Sequence, residues 1–222
     1  MIKRLSAVAA GVLLAVSAQA ATISFSDTIP FTTTDWDTAS PPPAPLSLQQ
    51  FDPSLGILNS ITWEYTGQFN TQLSAESLDA EPATVTVGVN GEMNFGGPIN
   101  ATICCIAAQT TQNLSAFDGA IDFGGTSGFG PIAVSDSGNG SVTILGGFAP
   151  FVGLGSYLID VSADGTTVGS GSANLVTLIQ TEAGATVRVT YDYTVQDVPE
   201  PGSMALVGLA LAGLGLARRR KA

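Results

Sequence analysis

Three pairs of aspartates have the composition and spacing of calcium ligands: Asp35 with Asp37, Asp118 with Asp122, and Asp160 with Asp164. Because Ca²⁺ takes about six to eight oxygen ligands, no pair suffices alone. None of the three fits the EF-hand loop or the glycine-rich calcium repeat. The pairs therefore predict solvated loop charge and no metal site, although Ca²⁺ stays open as a cofactor.

Acid pairs are also the machinery of glycoside hydrolysis, which needs two carboxyl groups about 5–9.5 Å apart. The chain contains no histidine, which excludes serine–histidine and cysteine–histidine nucleophiles. Few aromatic residues stand near the acids to form a sugar platform. We predict no catalytic residue and no enzymatic activity, and a hydrolase is the third-ranked hypothesis.

Three aromatic residues are candidates for stacking on a glycan: Trp36, Trp63 and Tyr65. Exposed aromatic rings on one face are typical of carbohydrate-binding surfaces, since they combine an apolar face with a polar edge. Trp63 and Tyr65 lie two residues apart, on one face of a predicted strand. Packing in the core is the alternative for at least one of them.

The two cysteines are adjacent, Cys104 and Cys105. One interpretation places them on a strand as small apolar residues, one directed inward and one outward. The alternatives are pairing between chains and a strained bridge between neighbours, because consecutive Cα atoms lie ~3.8 Å apart. The sequence does not decide whether the pair is oxidised.

Charge is distributed unevenly along the 222 residues. Residues 21–198 contain 17 acidic residues and one basic residue, Arg188, which gives a formal charge of −16. Such a segment repels phosphate backbones and anionic headgroups, so nucleic acid is excluded as a partner. Negative charge that keeps the protein soluble is the simplest explanation, and a cation-bridged or cation-binding surface is the alternative.

Residues 1–20 have the three parts of a secretory signal peptide, and we expect this segment to form a helix. Lys3 and Arg4 precede a mostly apolar stretch, and small residues stand at Ala18 and Ala20. This pattern predicts export by the Sec translocon and cleavage by signal peptidase between Ala20 and Ala21.

The C-terminus also has three parts: Pro199-Glu200-Pro201, an uncharged segment over 202–217, and a basic run, Arg218, Arg219, Arg220 and Lys221. We predict a single transmembrane helix over 202–217, with the basic run in the cytoplasm. The arrangement resembles the PEP-CTERM sorting signal. The resemblance implies processing by an exosortase, a membrane protease, near Pro199-Glu200-Pro201, in a Gram-negative bacterium.

Between these ends, residues 21–198 contain several stretches in which polar and apolar residues alternate: Thr22 to Ser26, Ala83 to Val89 and Thr186 to Val195. This period of two predicts antiparallel strands in an all-β sandwich. Asn90-Gly91 predicts a hairpin turn, and Asp164-Gly165 and Ala183-Gly184 predict two more turns. We also expect a short helix near 110–117 and glycine-rich loops over 118–140.

A second resemblance covers the beginning of the sandwich. Thr22 to Phe31 and the run from Leu46 to Thr62, which includes Phe51-Asp52-Pro53-Ser54-Leu55-Gly56, are similar to the choice-of-anchor E domain. Asp52-Pro53-Ser54 predicts a turn, with Leu55 and Leu58 anchoring it to the core. The resemblance implies no catalytic residues.

Together these features predict an exported β-sandwich trimmed at both ends. We expect it to be held at the inner membrane before processing, and then delivered to the cell surface or extracellular matrix. The leading hypothesis is a structural or adhesive role in an exopolysaccharide or biofilm layer. The alternative is a carbohydrate-binding module for a specific glycan.

Overall fold

The computed structural model describes residues 20–34, 43–195 and 208–209. Most residues of the first two ranges lie in strands. The strands are β1 (Ala20–Thr33), β2 (Leu46–Gln49), β3 (Gly56–Ser77), β4 (Ala83–Gly96), β5 (Ala101–Leu114), β6 (Gly128–Ile144), β7 (Ser156–Ser170) and β8 (Leu175–Val195). Two 3₁₀ helices, Pro53–Leu55 and Ala149–Phe151, lie between strands.

The strands form two four-stranded antiparallel sheets, in the orders β1-β8-β3-β6 and β2-β7-β4-β5. Each strand of the first half pairs with its mirror partner: β1 with β8, β2 with β7, β3 with β6, and β4 with β5. A long hairpin rolled into two sheets gives this pairing, and it is the topology of a jelly roll. The predicted antiparallel β-sandwich is therefore confirmed.

The core lies between the inward faces of the two sheets. Its largest fully buried side chains come from both sheets and from the β2–β3 connection: Phe51, Trp63, Phe69, Phe95 and Tyr191. Tyr191 Oη donates a 2.8 Å hydrogen bond to the carbonyl oxygen of Gln49, which ties the first sheet to β2. Aromatic packing and this hydrogen bond contribute to holding the two sheets together.

The hairpin predicted at Asn90-Gly91 is wrong, because β4 runs through both residues without turning. Gly91 faces the core, where a Cβ would overlap the ring of the buried Phe69. The register against β5 shifts between Gly91 and Met93, which marks a bulge. Gly91 therefore allows the Phe69 ring to approach the β4 backbone and accommodates the bulge, and it does not form a turn.

The other internal turns are wrong for a similar reason. Asp164-Gly165 lies inside β7, and Ala183-Gly184 lies inside β8. The short helix expected over 110–117 is mostly the end of β5. The glycine-rich loop expected over 118–140 is a loop to residue 127 and then β6, where Gly138 and Gly140 leave room for Ile103 and Tyr65.

The predicted signal-peptide helix and the predicted helix over 202–217 fall on residues outside those that the structure describes, except for Gly208 and Leu209, which are helical. In the described part of the chain, no helix combines the length and apolar character needed to cross a membrane.

The strand registers define two ends of the sandwich. One end, called here the basal end, contains the loops 50–55, 97–100 and 145–155, together with the start of β1 and the end of β8. The opposite end, called the distal end, contains the loops 78–82, 115–127 and 171–174.

Candidate functional site

The folded domain fills the interval between the two predicted processing segments. Ala20, on which cleavage was predicted, is the first residue of β1 and pairs with Thr194; Ala21 pairs with Tyr193 near the end of β8. Because β1 and β8 are antiparallel neighbours, the chain enters and leaves the domain side by side at the basal end. Ala18 and the sorting residues Pro199, Glu200, Pro201, Arg218, Arg219, Arg220 and Lys221 lie outside the described residues.

The turn predicted at Asp52 is confirmed and forms part of the basal end. The Asp52 carboxylate accepts a 2.8 Å hydrogen bond from the Ser54 N–H and caps the first 3₁₀ helix. Hydrogen bonds from the Ser54 hydroxyl and N–H hold the pKa of Asp52 below its ordinary value. Gly56 follows with φ of 153°, a conformation that favours glycine.

The anchoring residues of this turn differ in part from the prediction. Leu58 packs against the core as expected, but Leu55 is exposed. The anchor is Phe51, whose ring lies 5.7 Å from that of Tyr191 and 5.1 Å from that of Tyr193. Its N–H donates to the carbonyl of Phe151, and its own carbonyl accepts from the N–H of Gly153.

The aromatic residues proposed for glycan stacking do not form a platform in the described part of the chain. Trp63 is 1 % exposed and its ring contacts Tyr65 and Phe95, with centroids 5.2 and 6.2 Å away. Tyr65 is half-buried and packs against Phe95. Trp63 therefore has no free face for a sugar, which agrees with the core alternative; Trp36 lies outside the described residues.

The aspartate pairs fall in different places. Asp118 and Asp122 lie in the distal loop 115–127, where each carboxylate accepts a backbone N–H two residues ahead, from Ala120 and Gly124. Asp160 and Asp164 lie on β7, exposed, and Asp35 and Asp37 lie outside the described ranges. Over residues 20–34 and 43–195, no group of three or more His, Cys, Asp or Glu side chains is placed to hold a metal.

A buried carboxylate at the distal end was missed by the sequence reasoning. Glu76, near the end of β3, is fully buried, and its Oε1 accepts a 2.5 Å hydrogen bond from the Ser127 hydroxyl. Its Oε2 has no hydrogen-bond partner among the described atoms. The sequence carries only a weak indication of this, a lone glutamate between small residues at the end of a long alternating strand.

Asp79 joins two distal loops. Its carboxylate accepts hydrogen bonds from the N–H groups of Ala173 and Asn174, at 2.8 and 3.2 Å, and from the Asn174 side chain at 3.0 Å. These contacts, that with Ala173 above all, hold the pKa of Asp79 below its ordinary value. Asp79 is therefore a structural acceptor in its ionised form.

The cysteines lie on β5, opposite the β4 bulge, and both are exposed, so the expected alternation of one inward and one outward is wrong. Cys105 has φ of +69°, which turns its side chain to the same side as that of Cys104. The Cys105 thiol donates to the Cys104 sulfur, and this contact raises the pKa of Cys105. The pair is free in the structure and accessible to reagents.

Burial raises the pKa values of two tyrosines in the core, Tyr157 and Tyr191. Desolvation raises the pKa of Tyr191 to about 12 and raises that of Tyr157 further. Both phenols are therefore neutral at physiological pH; Tyr191 acts as a packing and hydrogen-bonding group, and Tyr157 acts as a packing group.

The solved structures that are similar to this chain resemble it only weakly. Structures of the infectious bursal disease virus Gx strain and of the T13 viral particle of that virus are 14 % and 15 % identical to the chain. They cover 87 % and 85 % of it, with TM-scores of 0.13 and 0.14, which are too low to indicate a shared fold. The chain spans about half the length of those chains, 47 % and 46 %. No curated protein matches the chain.

The PEP-CTERM protein-sorting motif matches residues 197–221, immediately after the last strand of the domain. The match does not extend to the sandwich, and the resemblance of residues 22–62 to the choice-of-anchor E domain stays a prediction. The chain thus carries a PEP-CTERM sorting signal, which marks it as an exported protein that an exosortase processes on its way to the cell surface.

Proposed function

We propose that this protein is a non-enzymatic structural or adhesive component of an exopolysaccharide or biofilm layer. It would be exported through the Sec translocon, cleaved by signal peptidase after Ala20, and released or re-anchored by an exosortase near Pro199-Glu200-Pro201. Until that cut, a helix over 202–217 holds it in the inner membrane of a Gram-negative host.

The observation that carries the proposal is the fit between the sorting motif and the fold. The motif begins at residue 197, two residues after β8 ends at Val195. A cut near Pro201 would therefore leave every strand pair intact. Cleavage after Ala20 would remove only the first residue of β1 and its pairing with Thr194.

The burial of Trp63 disfavours the carbohydrate-binding alternative, because stacking needs an exposed ring. The surface that the domain offers to a matrix is polar and acidic, with long exposed strand faces rich in threonine and serine. Such a surface suits many weak hydrogen bonds and cation-bridged contacts with a charged polysaccharide better than one specific pocket.

The test is the intact mass of the protein from its host, with and without the exosortase gene. We expect a chain that begins at Ala21 and ends near Pro201, found in the matrix fraction, and a longer membrane-bound chain in the deletion strain. Replacing Pro199 and Pro201 by alanine should reproduce the deletion, whereas alanine at exposed Ser115 should not. A retained C-terminus in both strains would refute processing.

Matrix function needs its own readout, which is the cohesion of the layer in a strain that lacks this chain. We expect weaker cohesion, restored by the full chain. Unchanged cohesion, with correct processing, would leave the sorting part of the proposal standing and remove the structural role.

A further inference from the structure

The basal end carries a group of exposed apolar side chains. Five of the nine large hydrophobic residues that are exposed in residues 20–34 and 43–195 lie there: Leu55, Ile57, Leu145, Leu154 and Val195. Leu145 and Leu154 are 78 % and 86 % exposed, so they contribute little to the core. Single exposed leucines are ordinary, but a group of them at one end of a domain needs an explanation.

The same end is almost free of charge. Its loops 50–55, 97–100 and 145–155 contain one charged residue, Asp52. The carboxylate of Asp52 accepts a hydrogen bond from the Ser54 N–H. The stretch 137–159, which supplies Leu145 and Leu154, has no charged residue at all. This long stretch without charge is the feature of the sequence from which the surface could have been predicted.

The chain itself indicates what lies next to this surface. Only six residues, 196–201, separate Val195 from the apolar segment 202–217, and the extended chain between them reaches about 25 Å at most. While segment 202–217 is in the bilayer, the basal end must lie within that distance of the lipid surface. The adjacent β1 and β8 point the basal end, and not the distal one, toward the membrane.

We propose that the basal end docks on the lipid surface of the membrane before processing, with Leu55, Leu145 and Leu154 inserted into the headgroup region. This inference rests on the proposed function, because it requires the uncut sorting segment. The domain carries a large negative charge, which anionic lipids repel. The basal end, with Asp52 as the one charged residue of its loops, is the part that can approach them at the lowest cost.

The expected affinity of this contact for the membrane is too low to anchor the domain, but it is sufficient to orient a domain that is already tethered. A myristoyl chain, with a comparable apolar area, gives only reversible binding with a constant of about 10⁴ M⁻¹. Docking would therefore orient the domain and hold Pro199-Glu200-Pro201 at the membrane surface. It would end when the chain is cut, because the tether that keeps the local concentration high is then lost.

The test uses the full chain in vesicles of phosphatidylethanolamine with a minority of phosphatidylglycerol, with both native cysteines replaced by serine. A fluorophore is attached at Leu154→Cys or, as the matched control, at Ile121→Cys, which is exposed at the distal end. Two quenchers are compared, a nitroxide on the lipid and iodide in the water.

We expect lipid quenching several-fold stronger at position 154 than at 121, with protection from iodide at 154 alone. Leu55→Ser with Leu145→Ser should reduce that difference, while Leu178→Ser, exposed on β8 away from the basal end, should not. Equal quenching at both positions would overturn docking. Protection from iodide without lipid quenching would mean that a second copy or the chain's own tail covers the surface, which also overturns it.

An alkaline carbonate wash separates this inference from the proposed function. A chain that stays in the vesicles but shows no difference between the two probes refutes docking and leaves the sorting proposal intact. A chain that the wash extracts refutes both.

Discussion

The basal and distal ends of the sandwich are built with different chemistry. The distal loops contain four acidic residues, Asp79, Glu81, Asp118 and Asp122, and no basic one, whereas the basal loops contain only Asp52. The basal end is held together by aromatic rings around Phe51, and the distal end by hydrogen bonds to carboxylates. In a jelly roll both ends are loops, so the fold itself does not require this difference. The end with less charge, the basal end, is the one at which β8 ends and the sorting segment follows.

The largest effect is expected at the centre of the basal end. Phe51→Ala should lower the free energy of unfolding by about 3–5 kcal/mol, because it removes a buried ring from between the two sheets. Denaturant unfolding of the mature chain measures this, and Phe31→Ala, at a half-exposed position, is the control. A loss no larger than that of the control would show that Phe51 does not join the sheets.

At the distal end the sharpest test is Ser127→Ala. This change leaves the buried Glu76 without its hydrogen bond, so we expect a loss of about 1–3 kcal/mol. Ser115→Ala, in the same loop but exposed, should change stability much less. If the two variants unfold alike, the Glu76 contact does not stabilise the distal end.

Acid should weaken the distal end through Asp79. Its pKa is lowered in the fold, so its stabilising effect is present above the ordinary value of 3.8 and is lost as pH falls through the lower folded value. Asp79→Asn should flatten this acid dependence, and amide hydrogen exchange at Ala173 and Asn174 would report it locally. An unchanged acid profile in the variant would assign the dependence to other carboxylates.

The smallest effect is expected for Leu154→Ser. Because this side chain is almost fully exposed, stability of the mature chain should change by no more than about 0.5 kcal/mol. Thermal unfolding checks this. A clear loss would mean that Leu154 belongs to the core, and the contrast between a membrane-facing surface and a packed interior would fail at that position.

The sequence predicted the outline of the molecule but not its strand lengths. Alternation identified β1, part of β4 and β8, because a period of two is a local property of a strand with one buried face. The turn predicted at Ala183-Gly184 lies inside β8, where Gly184 contacts β1 of the same sheet. At Asn90-Gly91 the prediction failed because a glycine that allows a close approach between sheets, as Gly91 does for Phe69, is identical in sequence to one needed for a turn. Only the partner strand distinguishes the two.

For the candidate site too, local features could be predicted from the sequence, whereas contacts between distant residues could not. The processing segments are contiguous and could be identified from local composition. The exposed leucines of the basal end come from two separate connections, 50–55 and 145–155, and Glu76 meets Ser127 across 51 positions of the chain. Contacts of that kind depend on strand order, which no local pattern specifies.

The position of β8 has a consequence for the timing of folding. This last strand lies inside the first sheet, between β1 and β3, and it pairs with both along most of its length. A chain threaded through the translocon from its N-terminus cannot complete that sheet until residue 195 has crossed. If the protein is exported by the route proposed above, its first sheet would therefore close only when the sorting segment reaches the membrane.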